Sequence, residues 1–333
     1  MQRSEFLRIS GLALTGMVLP WRSINFRKST TMRPNDIQDV IIIGGSYSGL
    51  AAAMALGRSL RNVLIIDSGL PCNRQTPYSH NFLTQDGTAP KAIADLARKQ
   101  VLQYPTIRFY EGVVVDATRT SLGYEVVTGE GKKFMSRKLL FATGIKDILP
   151  DIPGLAECWG ISVLHCPFCH GYEVRQQPTG LLANGEAGFE MAGLLSNWTK
   201  ELTVYTNGKA DFTEEQFSKM ASHSIRIEER EMGQLSHTSG QLNRIVFKDG
   251  HSTTLSALYV RTAFVQHCSL PEKLGCELTA EGYVQINTMQ QTTIPDIYAS
   301  GDNTTRMRTV ANAVAAGTMA GISIVKALAV ATF

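Results

Sequence analysis

The sequence contains little cysteine and no surplus of charge of one sign. Six cysteines in 333 residues are too few for a disulfide-rich scaffold. The formal net charge is +3, and it is concentrated at the N-terminus, because residues 1–31 contain five basic residues and one acidic residue. The remainder has a net charge of −1, so it offers no basic surface for nucleic acid. With 44% hydrophobic residues, the chain can bury the cores of one large or two ordinary domains.

The N-terminal segment lacks a long hydrophobic run. Its apolar stretch, around Ile9–Leu19, is too short to span a bilayer but suits the core of a signal peptide. The RSEFLR segment resembles a twin-arginine export signal in which Ser4 replaces the second arginine. The alternative is an upstream start codon, with Met32 as the working start. We therefore expect a leader at residues 1–35, no membrane span, and a cytoplasmic protein, or a periplasmic one if the leader is functional.

The segment that follows the leader, up to Asp67, predicts a strand–turn–helix–strand unit that binds a dinucleotide. The apolar run Val40–Ile43 fits a buried parallel strand. Gly44, Ser46 and Gly49 follow it and approach the G-x-G-x-x-G fingerprint, with serine at the middle glycine. The pyrophosphate would lie at the helix N-terminus, where free N–H groups favour anions. Asp67 ends the next strand, at the distance where a carboxylate accepts hydrogen bonds from a ribose.

A second unit of the same kind begins at Gly180. A short strand, a turn and a helix lead to the strand Leu202–Tyr205. Ala183 stands where the fingerprint has its first glycine, and residues 206–209 offer neither an acid for a ribose nor an arginine pair for a 2′-phosphate. The residues leave two alternatives open: a site for a nicotinamide nucleotide, and an inherited fold that has lost its ligand.

Two further segments suit a cofactor with a flat ring. One is a strand that runs into the turn Ala142-Thr143-Gly144, and the other is the strand Ile297–Ala299, which leads to Gly301 and Asp302. An aspartate at the carboxyl end of a strand, beside a helix start, can accept a hydrogen bond from a ribityl hydroxyl. The small residues Ala311–Gly317 would let the backbone approach the ring, although small residues also serve tight helix packing.

The segment HCPFCHGYE, residues 165–173, holds the only close pair of cysteines. Cys166 and Cys169, followed by His170, match a c-type haem attachment, a redox-active dithiol, half of a zinc site or a structural disulfide. A zinc site needs four ligands, and the sequence has no second C-x-x-C. A disulfide across so short a loop would constrain little, and the segment joins two nucleotide folds instead of a haem domain. The pattern therefore favours a redox-active dithiol.

The motifs GGSYSG with Asp67, FATG, CPFCHG and YASGD occur in the order and spacing of the low-molecular-weight thioredoxin reductases. The chain resembles that family from Asp39 to the C-terminus. The resemblance implies an α/β fold of two Rossmann-like nucleotide-binding domains, the second inserted into the first. It implies an FAD-binding domain of residues 36–150 and 263–333, an NAD(P)-type domain over residues 151–262 that carries the C-x-x-C, and usually a homodimer.

The resemblance also assigns residues to FAD. It implies that the glycine-rich turn faces the pyrophosphate, Asp67 the adenosine ribose, and Asp302 the ribityl chain. The SHNF segment, residues 79–82, looks like the one that puts an asparagine near the flavin. The helix start near Val310 would face the flavin ring. The expected cofactor-binding residues are Gly44, Ser46, Gly49, Asp67, Asn81, Gly144, Gly301, Asp302 and Val310.

The chain departs from those reductases in two places. The second nucleotide unit lacks the basic residues that hold NADPH, and His170 replaces an aspartate after the dithiol. Both features are similar to the branch of gliotoxin-type dithiol oxidases, in which a small dithiol is oxidised and electrons pass through the flavin to dioxygen. NAD(P)H is therefore a doubtful cofactor, whereas FAD is expected.

A thiol attacks only as the thiolate, so the cysteine pair needs a base beside it. We expect Cys169 to be the flavin-facing sulfur, Cys166 to exchange with the substrate, and His170 to be the acid–base, with His165 as a second candidate. The sequence thus predicts an FAD-dependent thiol–disulfide oxidoreductase whose partner is a thioredoxin-like protein or a small dithiol or disulfide. The alternatives are a dithiol oxidase that uses dioxygen without NADPH, and a non-catalytic flavin-binding redox sensor.

Overall fold

The structure is a computed structural model in which residues 37–331 are described. The expected leader, residues 1–35, lies outside them. The strands are β1 (Gln38–Ile43), β2 (Val63–Asp67), β3 (Ile107–Glu111), β4 (Val114–Thr120), β5 (Gly123–Thr128), β6 (Lys133–Phe141), β7 (Ile145–Ile148), β8 (Val163–Leu164), β9 (Thr179–Leu182), β10 (Leu202–Tyr205), β11 (Arg226–Glu228), β12 (Met232–Thr238), β13 (Gln241–Phe247), β14 (Ser252–Thr254), β15 (Ala257–Val260), β16 (Ala263–Gln266) and β17 (Ile297–Ala299). The helices are α1 (Tyr47–Arg58), α2 (Pro90–Val101), α3 (Leu155–Cys158), α4 (Pro167–His170), α5 (Gly185–Leu195), α6 (Glu214–Ser222), α7 (Leu270–Lys273) and α8 (Val310–Val330).

The larger sheet is built from both ends of the described chain. Its strand order is β3-β2-β1-β6-β5-β4, and β17 also pairs with β6. β1, β2, β3, β6 and β17 run parallel. Most of their apolar residues are buried, as expected for parallel strands that are covered on both faces. The predicted strands at Val40–Ile43 and Ile297–Ala299 are confirmed.

Helix α8 packs along α1 beside this sheet. A Cβ on Gly317 would overlap the backbone of Ser48, so only glycine allows this approach. By length and composition α8 could also cross a membrane, but Ala320 and Ile324 are fully buried in the core that it shares with α1. It therefore serves here as a core helix, and Gly317 serves helix packing.

The second sheet is entirely parallel, with the order β11-β10-β9-β15-β8. Helix α5 connects β9 to β10, so the predicted second strand–turn–helix–strand unit is confirmed, and the strand Leu202–Tyr205 has the predicted bounds. A three-stranded antiparallel sheet, β12-β13-β14, packs beside it through a shared apolar core. The sequence did not predict this antiparallel sheet.

Two antiparallel strands, β7 and β16, connect the two parallel sheets. The expected domain boundaries at residues 150 and 263 fall next to these strands, and the division into domains stays a prediction. The architecture of two Rossmann-type folds, one built from both chain ends and one between them, agrees with the fold class that the sequence predicted.

Candidate active site

The glycine-rich turn leaves the N-terminus of α1 open to an anion. Among the described residues, Ser46 caps α1 without a side-chain hydrogen bond, and the first turn has no acidic residue. The free N–H groups and the helix dipole therefore favour a phosphate here. Gly44 has a φ of +105°, and a Cβ there would overlap the carbonyl of Ala142. Gly49 is buried, and a Cβ on it would overlap the carbonyl of Gly44, so both glycines permit the tight turn.

Asp67 is fixed beside this turn at the end of β2. Its Oδ1 accepts a hydrogen bond from the Gly45 N–H at 2.8 Å, and its Oδ2 accepts one from the Gly69 N–H at 3.1 Å. The carboxylate thus links the glycine-rich turn to the loop after β2. The position is suited to a ribose, and the ribose contact itself stays a prediction.

The turn after β6 places glycine backbone without a side chain at the same edge of the sheet. Gly144 has a φ of +65°, and a Cβ on it would meet no atom within 4 Å. The buried hydroxyl of Thr143 has no hydrogen-bond partner among the described residues. Gly301, after the neighbouring strand β17, has a φ of +94°. Open backbone and an orphaned hydroxyl at the carboxyl ends of parallel strands are features of a ligand cleft.

A buried ion pair lies beside this edge. Arg308, two residues before α8, donates two hydrogen bonds to the carboxylate of Asp147 on β7, at 2.8 and 2.7 Å. Burial alone would raise the pKa of Asp147, but the hydrogen bonds from Arg308 hold it below its usual value. Thr262, just before β16, also donates to Asp147 at 2.8 Å. The pair therefore ties the start of α8 to both connecting strands.

Asp302 is the second acid of this cluster. Its Oδ2 lies 3.9 Å from the Nε of Arg308. Burial raises the pKa of Asp302 to about 6, against the lowering effect of Arg308. The thiol of Cys72 lies 3.9 Å from the Oδ2 of Asp302. The atoms packed around the sulfur and the charge of Asp302 raise the pKa of Cys72 to about 11, so this thiol is mostly protonated at neutral pH.

Cys166 and Cys169 form a disulfide, with their Cα atoms 5.4 Å apart. Cys166 caps the short helix α4, and Pro167 at its first position fits the helical φ. A Cβ on Gly171 would lie 2.8 Å from the indole nitrogen of Trp198, so glycine lets the end of α4 pack closely against Trp198. Within residues 37–331, no group of three or more His, Cys, Asp or Glu residues is placed to hold a metal ion.

The two histidines that flank the disulfide are neutral. The ring of His165 packs on Trp159, with ring centroids 5.8 Å apart. Burial, together with a smaller effect of Arg308 that Asp147 opposes, lowers its pKa to about 4. Burial, with a smaller effect of His80, also lowers the pKa of His170 to about 4. A neutral imidazole can accept a proton, and a thiolate that forms beside it would raise its basicity.

His80 is a site residue that the sequence did not predict. Its side chain is 18% exposed, and its Nδ1 lies 3.6 Å from a carboxylate oxygen of Glu173, just past α4. The neighbouring Asn81 is exposed, has a φ of +58°, and donates its backbone N–H to Asp86 at 2.7 Å. The only sequence signal for His80 was its place in the SHNF segment. The flavin contact of Asn81 stays a prediction.

The N-terminus of α5, in the second fold, is closed by its own side chains. The Oδ1 of Asn184 accepts hydrogen bonds from the N–H groups of Gly185 at 2.9 Å and Asp211 at 2.8 Å. Glu186 lies in the first turn, and its carboxylate accepts a hydrogen bond from Gln216 at 2.6 Å. A Cβ on Gly185 would lie 3.8 Å from the carboxylate of Asp211. Two carboxylates thus lie near the start of α5, the helix end at which a dinucleotide pyrophosphate would bind.

Residues 38–317 match the family described as pyridine nucleotide-disulphide oxidoreductase. The chain belongs to this family. The thioredoxin reductase tcpT of Claviceps purpurea is 34% identical over 301 residues, which are 87% of this chain and 94% of that protein. The thioredoxin reductase aclD of Aspergillus oryzae is 30% identical over 303 residues, 87% of this chain and 96% of that protein. An oxidoreductase from Agrobacterium tumefaciens has a crystal structure that superposes with a TM-score of 0.83 at 37% identity, covering 89% of this chain and 99% of that one.

This pyridine nucleotide-disulphide oxidoreductase is thioredoxin-reductase-like and uses FAD, and its first fold fits that cofactor. The open N-terminus of α1 would hold the pyrophosphate, Asp67 a ribose, and Asp302 a ribityl hydroxyl. The turn at Gly144 leaves space for the ring system. Val310 is the first residue of α8, directly after its cap Thr309. When bound, FAD would supply a two-electron redox carrier that can exchange electrons with a dithiol–disulfide pair.

Proposed function

We propose that this protein is an FAD-dependent dithiol oxidase. It converts a small dithiol and dioxygen into a disulfide and hydrogen peroxide. Two electrons and two protons leave the substrate sulfurs, and dioxygen receives two electrons and two protons, so the reaction balances without a nicotinamide nucleotide. The disulfide of Cys166 and Cys169 is the group that reacts with the substrate.

The sulfur chemistry proceeds by thiol–disulfide exchange. A substrate thiolate attacks Cys166, the bond to Cys169 breaks, and Cys169 leaves as the thiolate. The second substrate thiolate then attacks the mixed disulfide and releases Cys166, which leaves the substrate oxidised and the enzyme pair reduced. His170, neutral at the start, takes the proton from the attacking thiol.

The closed N-terminus of α5 carries the proposal that electrons do not come from NAD(P)H. A pyrophosphate placed there would meet the like charges of Glu186 and Asp211, and like-charge contacts cost several kcal/mol. The side chains after β10 are also engaged within the protein. Thr206 donates to the Gly208 carbonyl at 2.6 Å, and Asn207 accepts from the Met232 N–H at 2.7 Å. Neither side chain carries a positive charge for a 2′-phosphate, and Lys209 is the one cation in residues 206–209.

The exposed aromatic surface beside the disulfide supports a partner with an apolar surface of its own. Phe168, between the two cysteines, is 58% exposed, and Tyr172, just after α4, is 66% exposed. Two exposed aromatic side chains next to a reactive disulfide favour contact with a ring or an apolar face. A small dithiol that contains a ring fits this surface, and a thioredoxin-like protein is the second candidate partner.

The second candidate function is an NAD(P)H-driven reductase of a protein or small disulfide. Two observations favour it: the strand–turn–helix–strand unit of β9, α5 and β10 is complete, and the relatives tcpT and aclD are named thioredoxin reductases. In that case electrons would flow from the nicotinamide nucleotide to Cys166 and Cys169, opposite to the direction proposed here.

An anaerobic titration separates the two functions. The purified flavoprotein is mixed with dithiothreitol, NADH or NADPH, and the flavin absorbance is followed. We expect dithiothreitol alone to bleach the flavin and air to restore it, with one hydrogen peroxide formed per dithiol. Cys166→Ser and Cys169→Ser should keep FAD bound and lose the bleaching. Bleaching of the wild type by NADPH would contradict the oxidase and support the reductase.

A further inference from the structure

We propose that His80 is a positioning residue that carries protons between His170 and water, through Glu173 and Asp86. The proposal rests on the dithiol oxidase function, because that reaction releases a proton from each substrate thiol. His170 takes the proton from sulfur, and His80 passes it outward. Dioxygen takes up two protons from water when it becomes hydrogen peroxide, so the number of protons in solution is unchanged.

The geometry places His80 between the dithiol segment and solvent. Its Nδ1 lies 3.6 Å from a carboxylate oxygen of Glu173 and 3.7 Å from one of Asp86, within ion-pair distance of both. The His80 side chain is 18% exposed, whereas those of Glu173 and Asp86 are 38% and 69% exposed. Accessibility thus increases outward along the three side chains, as a route for protons to the surface requires.

The loop that carries His80 is fixed on both sides. The Ser79 N–H donates to the Thr88 carbonyl at 2.9 Å, and the Gly87 N–H donates to the Ser79 carbonyl at 2.8 Å. On the other side, the Asn81 N–H donates to the same carboxylate oxygen of Asp86 that faces His80. A ring held in this way keeps its distance from the α4 segment without an entropic cost at each turnover.

The charges around His80 suit a transient imidazolium. Asp86 faces it from its own loop and Glu173 from the segment after α4, and a positive charge on His80 lowers the pKa of His170 on α4. Positive charges on both rings would therefore repel each other. Glu173 also faces Tyr259 on β15, whose buried hydroxyl has no hydrogen-bond partner among the described residues.

The test is the rate of anaerobic flavin bleaching by dithiothreitol in His80→Gln, measured across pH. We expect a loss of about 100-fold, because a positioned proton-transfer group contributes about that much or more. Added imidazole should restore part of the rate in proportion to its concentration, which it would not do for a purely structural defect. Glu173→Gln should show a smaller loss of the same kind.

The control is His251→Gln, because His251 also faces a carboxylate, Asp249 at 3.2 Å, but on the exposed turn before β14. It should bleach at the wild-type rate. A His80→Gln protein with the wild-type rate and pH profile, or a slow one that imidazole does not rescue, would overturn the proposal. If NADPH bleaches the wild type instead, the proposed direction fails. In that case the rates of the His80→Gln, His251→Gln and wild-type proteins in NADPH-driven disulfide reduction test whether His80 transfers protons.

Discussion

The two nucleotide folds of this chain differ most at the N-terminus of the helix that follows the first strand. At α1 the cap Ser46 makes no side-chain hydrogen bond, and the first turn lacks an acid. At α5 the cap Asn184 accepts two N–H groups, and Glu186 places a carboxylate in the first turn. The same backbone plan therefore presents a helix start without a side-chain cap in one fold and a capped, carboxylate-bearing start in the other. Retention of a fold does not imply retention of its ligand.

The difference extends to how each fold treats its polar groups. In the first fold, the buried hydroxyl of Thr143 has no partner among the described residues, and Asp302 is buried at a raised pKa. In the second, Asn184, Thr206 and Asn207 are hydrogen-bonded within the protein. Unsatisfied groups cost stability. We infer that the first fold keeps Thr143 and Asp302 in this state for a ligand, whereas the turns at Asn184 and Thr206 in the second fold are stabilised without one.

The largest effect is expected from giving α1 the negative charge that α5 has. Ser46→Asp should weaken FAD binding by about 100-fold, because a repulsion of about 3 kcal/mol corresponds to that factor. The flavin-free protein should keep its melting temperature, since aspartate is a good helix cap. Flavin content after purification and the melting temperature are the measurements. Ser46→Ala is the control and should keep FAD; a fully flavin-loaded Ser46→Asp protein would refute the comparison.

A smaller effect is expected at Asp302, in the cleft of the first fold. Its pKa is raised to about 6 in the folded protein, against about 3.9 in the unfolded chain. Its contribution to the free energy of unfolding is therefore present below pH 4 and falls as pH rises from about 4 to 6, by roughly 2–3 kcal/mol. Asparagine resembles the protonated acid, so Asp302→Asn should stabilise the flavin-free protein above pH 6.

The measurement for Asp302 is the free energy of unfolding of the flavin-free protein at pH 4 and pH 7. The gain should be present at pH 7 and vanish at pH 4. Asp151→Asn, which replaces an exposed carboxylate, should show no gain at either pH. Equal stability of the Asp302→Asn and wild-type proteins at pH 7 would mean that the charged carboxylate of Asp302 does not destabilise the first fold.

Much of the fold could be predicted because its signals are local. The buried strand of Val40–Ile43 is a continuous apolar run, and the βαβ unit around Leu202–Tyr205 repeats the same pattern. The sheet of β12, β13 and β14 was missed because its burial alternates irregularly around bulges, so its strands lack a clean period of two.

The site was predicted only in part because its remaining contacts join distant segments. Cys166 and Cys169 are close in sequence, and their disulfide needs only one turn of helix. His80 could be recognised as a site residue only from its contact with Glu173, which lies far away in sequence and comes close only in the folded protein. The packing role of Gly317 likewise depends on α1. The sequence around Gly317 therefore could not show whether its small residues contact a cofactor ring or a neighbouring helix.

The smallest effect is expected from opening the second fold. Glu186→Gln combined with Asp211→Asn removes both carboxylates near the start of α5 and keeps the Asn184 cap. If repulsion closes this site, the affinity for NADH should rise by about tenfold, which corresponds to about 1.4 kcal/mol. The quenching of protein fluorescence by NADH measures it. Glu190→Gln makes the same kind of change one turn further along α5 and should have no effect. An unchanged affinity in the double variant would mean that the missing cations, and not the two carboxylates, separate the second fold from the first.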